Sequence, residues 1–552
     1  MSPKIVGLIV MVSCLVLIPS CERESPVTNN RIVLGIQSDV QTFNPLYAFS
    51  LDEGNINELL YLSLVSFDWD EEQGEIIPEP MLANSWEWNS DSTSLTFFLR
   101  DDVLWSDSVN VTSEDVVYSF DLYSDPVVQS KLLGSFKSLY LEEDGSIDTK
   151  KSFSIEDPFT LRINFVPESL PTFYELIFPL VPKHIFEKIK REDIGTSTFN
   201  FEPVTNGPYK LKNWKKNQSI TLVADENSFL QTEESIKEIV FKIIPDYNSR
   251  MTQLKKGEID LTELVKPDDI NEITKTEHLT IQTVGGRDYD YLGWNNIDPE
   301  AYGKNKKIIP NKYFGDALTR KALSISINRN EILNEYLVGY GQLSAGPVSP
   351  IFKSAIDSTY KALPYNITLA KELLKQAGWK DEDKNGVLER NGTEFRFSLY
   401  VPTGNPRRTY ASTVIKNNLE QVGIDVTIQP VEIGVLIDDL YSRKLDAWMI
   451  GLFIPIPVDL RSFWFSELES TPMNFVSYQN AFVDSMIIES EKRIPTVRKN
   501  NIIKELQRKI NEDSPVTFLY WIDNIVVYNN RIKNADINPL GVIHHCWDWS
   551  VN

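Results

Sequence analysis

The amino-acid sequence predicts an α/β protein built from two lobes. Its 552 residues exceed the length of a typical single domain. A helix that leads through a tight turn into a mostly apolar strand occurs once in each half, at residues 254–261 and 440–450. Such a unit feeds a covered parallel sheet. We therefore expect one α/β lobe in each half of the chain.

Short patterns locate individual elements within these lobes. Large apolar residues recur at every second position of residues 95–99, which predicts a half-buried strand. Thr112 and Asn328 are each followed three residues later by an acid, as in the capping box that opens a helix. Another helix is expected to begin at Asn366 and to stop at Gly378, a residue suited to a left-handed C-terminal cap.

The first 30 residues predict export and a lipid anchor. A basic start and a short apolar run, residues 5–18, precede Ser20 and Cys21. This is the order of a secretory signal, and the run is shorter than the roughly 20 residues of a membrane span. The end of the run resembles a bacterial lipobox, in which the Cys thiol is acylated; a plain secreted chain is the alternative. We expect a signal peptide at 1–20, lipidation at Cys21 and a polar tether at 21–30.

Composition and missing motifs exclude several classes of protein. A formal net charge of −23 argues against nucleic acid or an anionic lipid surface as the main partner. Cys14 leaves with the signal and lipid occupies Cys21, so only Cys546 remains and no disulfide is expected. The sequence holds no G-x-S-x-G motif, phosphate-binding loop or zinc signature. We expect neither an enzyme nor a cofactor, although a triad assembled only in space stays open.

Two patterns resemble metal sites without meeting the required spacing. His544 and His545 are adjacent, and neighbouring residues of a regular strand point in opposite directions. We interpret this pair as packing near the C-terminus. Residues 381–386 copy the start of an EF-hand loop, but position 12 is Gly392 where a bidentate Glu is needed. We expect no metal site, with a structural calcium at 381–392 left open.

Motifs spread over nearly the whole mature chain follow one order and spacing. They are residues 83–87, 95–105, 111–120, 180–186, 206–211, 320–324, 371–379 and 513–516. Together they resemble the family 5 extracellular solute-binding proteins, the dipeptide and oligopeptide receptors of ABC importers.

The resemblance implies a two-lobed fold like that of the periplasmic binding proteins (type II, cluster C). A subdomain is inserted into the first lobe, and the second lobe follows before the chain returns. The implied parts are lobe I at 31–75, 203–290 and 518–552, the inserted subdomain at 76–202, and lobe II at 291–517.

The resemblance also implies a function. A monomer held outside the cytoplasm by its lipid anchor would close its lobes over a peptide-like solute and deliver it to a permease and ATPase complex. The alternatives are a non-peptide solute, such as an oligosaccharide, an opine or a metal chelate, and a sensing or adhesion protein on the same fold.

The solute contacts implied by the resemblance come from three stretches. One is the first cleft loop at residues 39–45. Another is an aromatic strand at the hinge, residues 285–295, for which packing on one buried strand face is the alternative. The last is the wall at 451–464, where oligopeptide receptors pair an Asp with the amine of the peptide. This chain has Ile-Pro-Ile-Pro at 454–457 instead, and its nearest acid is Asp459. The expected ligand-binding residues are Val40, Tyr289, Tyr291, Trp294, Asn295, Gly451, Phe453, Asp459 and Trp464.

Overall fold

The computed structural model of the protein describes residues 30–167, 169, 171–454, 458 and 460–552. The expected signal peptide and Cys21 lie outside these residues. The strands are β1 (Arg31–Ile36), β2 (Val65–Asp70), β3 (Glu75–Pro80), β4 (Ala83–Trp88), β5 (Ser94–Leu99), β6 (Phe153–Asp157), β7 (Thr160–Asn164), β8 (Tyr209–Lys215), β9 (Ser219–Ala224), β10 (Glu238–Ile243), β11 (Leu261–Thr262), β12 (Leu279–Trp294), β13 (Gly341–Leu343), β14 (Glu389–Arg390), β15 (Thr393–Glu394), β16 (Arg396–Pro402), β17 (Asp425–Val431), β18 (Ala447–Phe453), β19 (Val516–Asn529), β20 (Ile532–Lys533) and β21 (Ser550–Val551). The α-helices are α1 (Leu51–Leu60), α2 (Ser113–Ser124), α3 (Thr149–Ser152), α4 (Lys183–Phe186), α5 (Tyr247–Lys256), α6 (Ile270–Ile273), α7 (Pro299–Asn305), α8 (Ala317–Ser326), α9 (Arg329–Glu335), α10 (Ile367–Gln376), α11 (Pro406–Glu420), α12 (Ile433–Tyr441), α13 (Arg461–Trp464), α14 (Ala481–Ser490) and α15 (Thr496–Asp513).

One mixed sheet runs through the whole molecule. Its strand order is β17-β16-β18-β12-β19-β11-β1-β10-β9-β8, with β13 paired to β19. Strands from the first part of the chain lie on one side of the β12–β19 pair, and strands from residues 396–453 lie on the other. The expected mixed α/β class is confirmed. The two α/β halves of the molecule therefore share a central pair of long strands, β12 and β19.

Those two strands connect the lobes. β12 pairs antiparallel with β19 from Leu279 to Gly293, and the register shifts between Val284 and Asp288. At this interruption Gly286 lies against the backbone of Ile522, where an added Cβ would be 1.6 Å from the carbonyl oxygen. A β-bulge bends a strand locally. The interruption falls at the start of the expected hinge, and the expected boundaries at 290/291 and 517/518 fall inside continuous strands.

Several helix ends lie where the local sequence signals predicted them. The capping box of Thr112 and Asp115 opens α2, and the side chain of Asn366 caps α10. Gly378 after α10 has φ +90°, the left-handed conformation predicted for it. The strand expected after α5 is shorter than its apolar pattern suggested, because β11 pairs with β1 only at Leu261.

A separate four-stranded sheet, β4-β5-β7-β6, lies within residues 83–164. It is antiparallel. The β5 side chains Leu95 and Phe97 are fully buried in the core that this region shares with the first lobe. This sheet falls inside the expected inserted subdomain.

The β2–β3 hairpin reaches the second half of the chain. Gln73 accepts a hydrogen bond from the amide of Ser354 at 3.0 Å, and the rings of Trp69 and Phe352 meet edge to face at 6.1 Å. The turn residue Gly74 has φ +63°, and a Cβ there would lie 2.0 Å from the carbonyl oxygen of Ile351. The two halves of the chain therefore touch here as well as through β12 and β19.

Candidate functional site

The aromatic residues of β12 are mostly used for packing. Tyr289 and Tyr291 are 1% and 3% exposed and belong to the second-lobe core. The ring of Tyr289 lies 4.7 Å from that of Trp521. Trp294 points to the opposite face of the sheet, into another core, so the alternative in which all three rings pack on one buried face is wrong.

Trp294 and Asn295 are fully buried and internally satisfied. The indole nitrogen of Trp294 donates to Thr517 Oγ1 at 3.0 Å. The Asn295 amide donates to the carbonyl of Leu445 at 3.0 Å, and its oxygen accepts from the amide of Ile297. Because these polar atoms already have partners inside the protein, the expected cleft role of both residues is corrected to a structural one.

A buried charge cluster lies behind this strand. The Asp290 carboxylate, with no exposed surface, pairs with Arg407 at 2.9 Å and Arg408 at 3.0 Å, and it accepts a hydrogen bond from the hydroxyl of Tyr520. Burial on its own would raise the pKa of Asp290, but the two guanidinium groups outweigh it and hold the pKa below its usual value. The cluster joins β12 and β19 to the start of α11.

This charge cluster explains why position 451 is a glycine. It pairs with Asp290 across the sheet, and an added Cβ would lie 2.3 Å from Arg408 Nη2 and 2.7 Å from Asp290 Oδ1. The absence of a side chain at this position makes space for the ion pair. Gly451 was expected to contact solute; its observed neighbours are protein charges.

Among the expected site residues that the structure describes, Phe453 at the end of β18 is the most exposed side chain. It is 52% exposed, and the Arg287 guanidinium lies 4.3 Å from its ring centre. Desolvation by the surrounding protein lowers the pKa of Arg287 to about 10. The neighbouring Asp288 carboxyl is exposed, yet desolvation is also the main cause that raises its pKa. Arg287 also lines a cavity, and sequence reasoning had predicted a binding role for neither of these charges.

The remaining expected site residues are either buried in a hydrophobic core or lie outside the residues that the structure describes. Val40 is 3% exposed in the first-lobe core. Trp464 is also 3% exposed, with its ring against Tyr478 and Phe518, so the ring that was expected to contact solute is covered by protein. Asp459 and residues 455–457 lie outside the described residues.

A cavity of about 380 Å³ lies between α1, the inserted subdomain and the interruption in β12. Its polar lining includes Asn57, Lys131 and Arg287, and aromatic and apolar side chains from residues 174–179 form another wall. The residues around it are Gly54, Asn57, Glu58, Tyr61, Ser63, Ser66, Phe67, Lys131, Tyr174, Ile177, Phe178, Pro179, Arg287, Leu540 and His544.

The histidine pair lies at the edge of this cavity. His544 Nδ1 bonds to the Glu58 carboxylate, and its Nε2 bonds to the carbonyl of Phe67 at 2.8 Å. Both partners are acceptors, so both nitrogens must donate and the ring is an imidazolium. The His545 ring stacks on it at 3.8 Å, and burial, followed by the charge on His544, lowers the pKa of His545 to about 4. Glu58, His544 and His545 are close enough to hold a metal ion, but both ring nitrogens of His544 are already hydrogen-bonded to protein oxygens.

The acidic loop expected as a partial calcium motif is folded on itself. Carboxylate oxygens of Asp381, Asp383 and Glu389 lie within 4.8 Å of one another. The three side chains accept backbone N–H groups of the same loop. The third acid is at position 9 of the motif instead of position 12, so the hydrogen bonds of the loop explain its shape without a cation.

Two lobes joined by a pair of long antiparallel strands, with charged side chains beside the interruption of their pairing, are an arrangement that fits a hinged receptor for a small solute. The chain belongs to the bacterial extracellular solute-binding proteins, family 5, whose model matches residues 78–471. Among the described residues, no helix is long and apolar enough to cross a membrane.

Individual relatives match over nearly their full length. The oligopeptide-binding protein AppA of Bacillus subtilis is 25% identical over 529 residues, covering 95% of this chain and 92% of AppA. The periplasmic oligopeptide-binding protein OppA of Escherichia coli is 25% identical, covering 91% and 88%. The structure of AppA in complex with a nonapeptide superposes with a TM-score of 0.72 over 95% of this chain and 99% of that one. NikZ from Campylobacter jejuni in complex with Ni(L-His) gives a TM-score of 0.74 at 24% identity, covering 95% and 100%.

Proposed function

We propose that this protein is the peptide receptor of an ABC importer, which binds its solute between the lobes and passes it unchanged to a membrane permease and its ATPase. The observation that carries the proposal is the full-length similarity to AppA, whose structure holds a nonapeptide. In this proposal the receptor is a monomer and not an enzyme, since the site needs only to enclose the solute.

The interruption in the β12–β19 pairing, between the two lobes, supports closure as the binding step. A ligand that contacts both lobes stabilises the closed state by its differential affinity for that state. Arg287 on β12 and Phe453 on the neighbouring strand β18 are in contact beside this interruption. We assign to Phe453 an apolar contact with the solute. Asp459, the acid nearest to the segment where oligopeptide receptors have their amine-pairing Asp, takes over that contact in this proposal; the alternative is a solute without a free amine at this place.

The amino-terminal part of the proposal is lipidation at Cys21, which would hold the receptor at an extracytoplasmic membrane surface. Replacing Cys21 with Ala is expected to move the protein from the membrane fraction to the soluble fraction. A Cys21→Ala protein that stays in the membrane fraction would contradict the anchor and leave the receptor proposal untouched.

A metal chelate is the second candidate solute. The NikZ complex has the same fold as this chain, with a TM-score as high as that of the AppA complex, so the backbone does not discriminate between the two solutes. Nickel–histidine is therefore included as a competitor in the test.

The test is to offer the purified chain a mixture of synthetic peptides of two to nine residues with nickel–histidine, and to identify what it retains by mass spectrometry. We expect intact peptides, and less retention by Phe453→Ala than by Phe482→Ala, a matched change at a residue that is 48% exposed. Retention of the nickel complex alone would contradict a peptide receptor, and the appearance of cleaved peptides would contradict a non-enzyme.

A further inference from the structure

The cavity between α1 and the inserted subdomain contains a polar group without a partner. Asn57 is 1% exposed, and neither its side-chain nitrogen nor its oxygen has a hydrogen-bond partner among the described residues. Buried amides are almost always paired, and leaving one unpaired is costly. The side chain lines the cavity, so a molecule bound there lies next to these unpaired atoms.

Two cations line the same cavity. The Lys131 ammonium has neither a hydrogen bond nor an ion pair in the part of the chain that the structure describes, and desolvation lowers its pKa. The nearby Glu53 carboxylate already accepts three backbone N–H groups, from Gln41, Phe49 and Ser50. The Arg287 guanidinium likewise has no ion pair among the described residues and rests on the ring of Phe453.

The remaining charges at the cavity compensate one another. Glu58 would repel an anion, but its carboxylate is bound to the imidazolium of His544. Among the residues that line the cavity, Lys131 and Arg287 therefore leave an excess of positive charge, with Glu53 and Asp288 as the neighbouring acids, in a chain with a formal net charge of −23. A positive concavity in an otherwise acidic protein concentrates anions.

We propose that this cavity is a carboxylate subsite of the solute cleft, with Asn57, Lys131 and Arg287 as donors to one carboxylate of the bound solute. Carboxylates are the natural partners of ammonium and guanidinium groups. Asn57 donates through Nδ2, and its Oδ1 accepts an N–H of the same solute. The inference rests on the proposed function, because a peptide supplies both groups. The carboxylate is either the peptide's own C-terminus or an Asp or Glu side chain.

The experiment compares three forms of each synthetic peptide on the purified full chain. They are the free acid without Asp or Glu, the C-terminal amide with one Glu, and the uncharged amide. We expect the uncharged amides to bind about tenfold or more weakly than at least one carboxylate-bearing form, the cost of losing one charge-assisted hydrogen bond. The form that binds better identifies the source of the carboxylate.

Three variants assign the effect to the cavity. Asn57→Ala, Lys131→Met and Arg287→Gln are each expected to weaken the binding of the carboxylate-bearing peptides more than that of the uncharged amides. Lys131→Met should also raise the melting temperature, because it removes a desolvated charge that has no partner. Lys137→Met, at an exposed lysine of the same subdomain, is the matched control and should change neither property.

The outcomes separate this inference from the proposed function. If acids and uncharged amides are retained equally, the subsite is overturned while the peptide receptor stands. If the carboxylate preference persists in all three variants, the donors lie elsewhere and the subsite is again overturned. If peptides in none of the three forms bind, the proposed function fails and the subsite fails with it.

Discussion

At position 451 the protein has no space for a side chain, and the reason is electrostatic. Asp290 has no exposed surface and is stable as a carboxylate because both Arg407 and Arg408 reach it. A buried carboxylate that loses a partner is strongly destabilising. The glycine thus belongs to the ion cluster, although its position on β18 had indicated a contact with solute.

We expect Gly451→Ala to destabilise the protein by about 1–3 kcal/mol, the usual cost of overpacking, because the new methyl group displaces Arg408 from Asp290. Thermal unfolding measures the effect. Gly303→Ala is the matched control, since Gly303 lies in α7 with nothing within 4 Å of its added Cβ, and Ala there should be neutral or stabilising. Equal melting temperatures for Gly451→Ala and the unchanged protein would contradict this view of the site.

The His544–Glu58 pair predicts a stability that depends on pH. Burial lowers the pKa of His544, but Glu58 raises it more, so the folded pKa lies above the ordinary value of 6.5. The folded state therefore holds its proton more tightly than the unfolded chain does. This contribution is fully present below about pH 6.5 and is lost as the pH rises through the folded pKa.

The measurement is a double-mutant cycle of Glu58→Gln and His544→Gln by thermal unfolding across this range. We expect a coupling of about 1–2 kcal/mol at pH 6, as for a hydrogen bond to a charged group, and a smaller one at pH 9. A coupling that is constant or that grows with pH would show that His544 is neutral in the folded protein.

Among the elements, the β2–β3 hairpin is the clearest case of a local turn that serves a distant contact. Its turn requires a residue with positive φ at Gly74, and the same residue lies against backbone of residues 351–353. The positive φ disfavours a side chain at this position, and the contact with backbone leaves no space for one. The hairpin therefore holds the loop next to the hinge interruption, where Ser349 donates to the carbonyl of Gly286 at 2.7 Å.

Gly74→Ala is expected to cost more stability than Gly145→Ala. Both positions have positive φ, at +63° and +88°, but a Cβ at Gly145 meets nothing within 4 Å. Backbone strain of about 1–3 kcal/mol applies to both, and only Gly74→Ala adds a collision with backbone. If melting temperatures show similar losses of stability in the two variants, the hairpin moves to accommodate the new methyl group and does not hold the loop in place.

For the whole molecule, the continuous sheet limits how the lobes can move. Two long strands joined by cross-strand hydrogen bonds bend more easily than they slide, and the interruption between Val284 and Asp288 is the place where the β12–β19 ladder is weakest. Closure should therefore be a rotation about this point. Solute that reaches both lobes would shift the molecule to the closed state.

We expect a retained peptide to reduce the radius of gyration in small-angle scattering, because closure brings the lobes together. The control is an equal concentration of a peptide that the protein does not retain, which should leave the profile unchanged. Retention of a peptide with an unchanged profile would contradict closure as the binding step.

The sequence by itself determined the α/β class, the helix starts at Thr112 and Asn366, and membership of a receptor family. These features depend on neighbouring residues, such as caps and alternation, or on many weak motifs in one order. Only the tertiary structure decided the roles of the residues at the site. Whether Trp294 faces solute or core, and why position 451 is glycine, depend on Thr517, Asp290 and Arg408, which the fold brings together from distant parts of the chain.

Asn57, Lys131 and Arg287 show the same limit. Each is an ordinary polar residue in the sequence, and they stand more than 70 positions apart along the chain. Their significance lies in the missing partners and in the shared cavity. A local pattern cannot encode the absence of a neighbour, because that absence is set by every segment that folds around the residue.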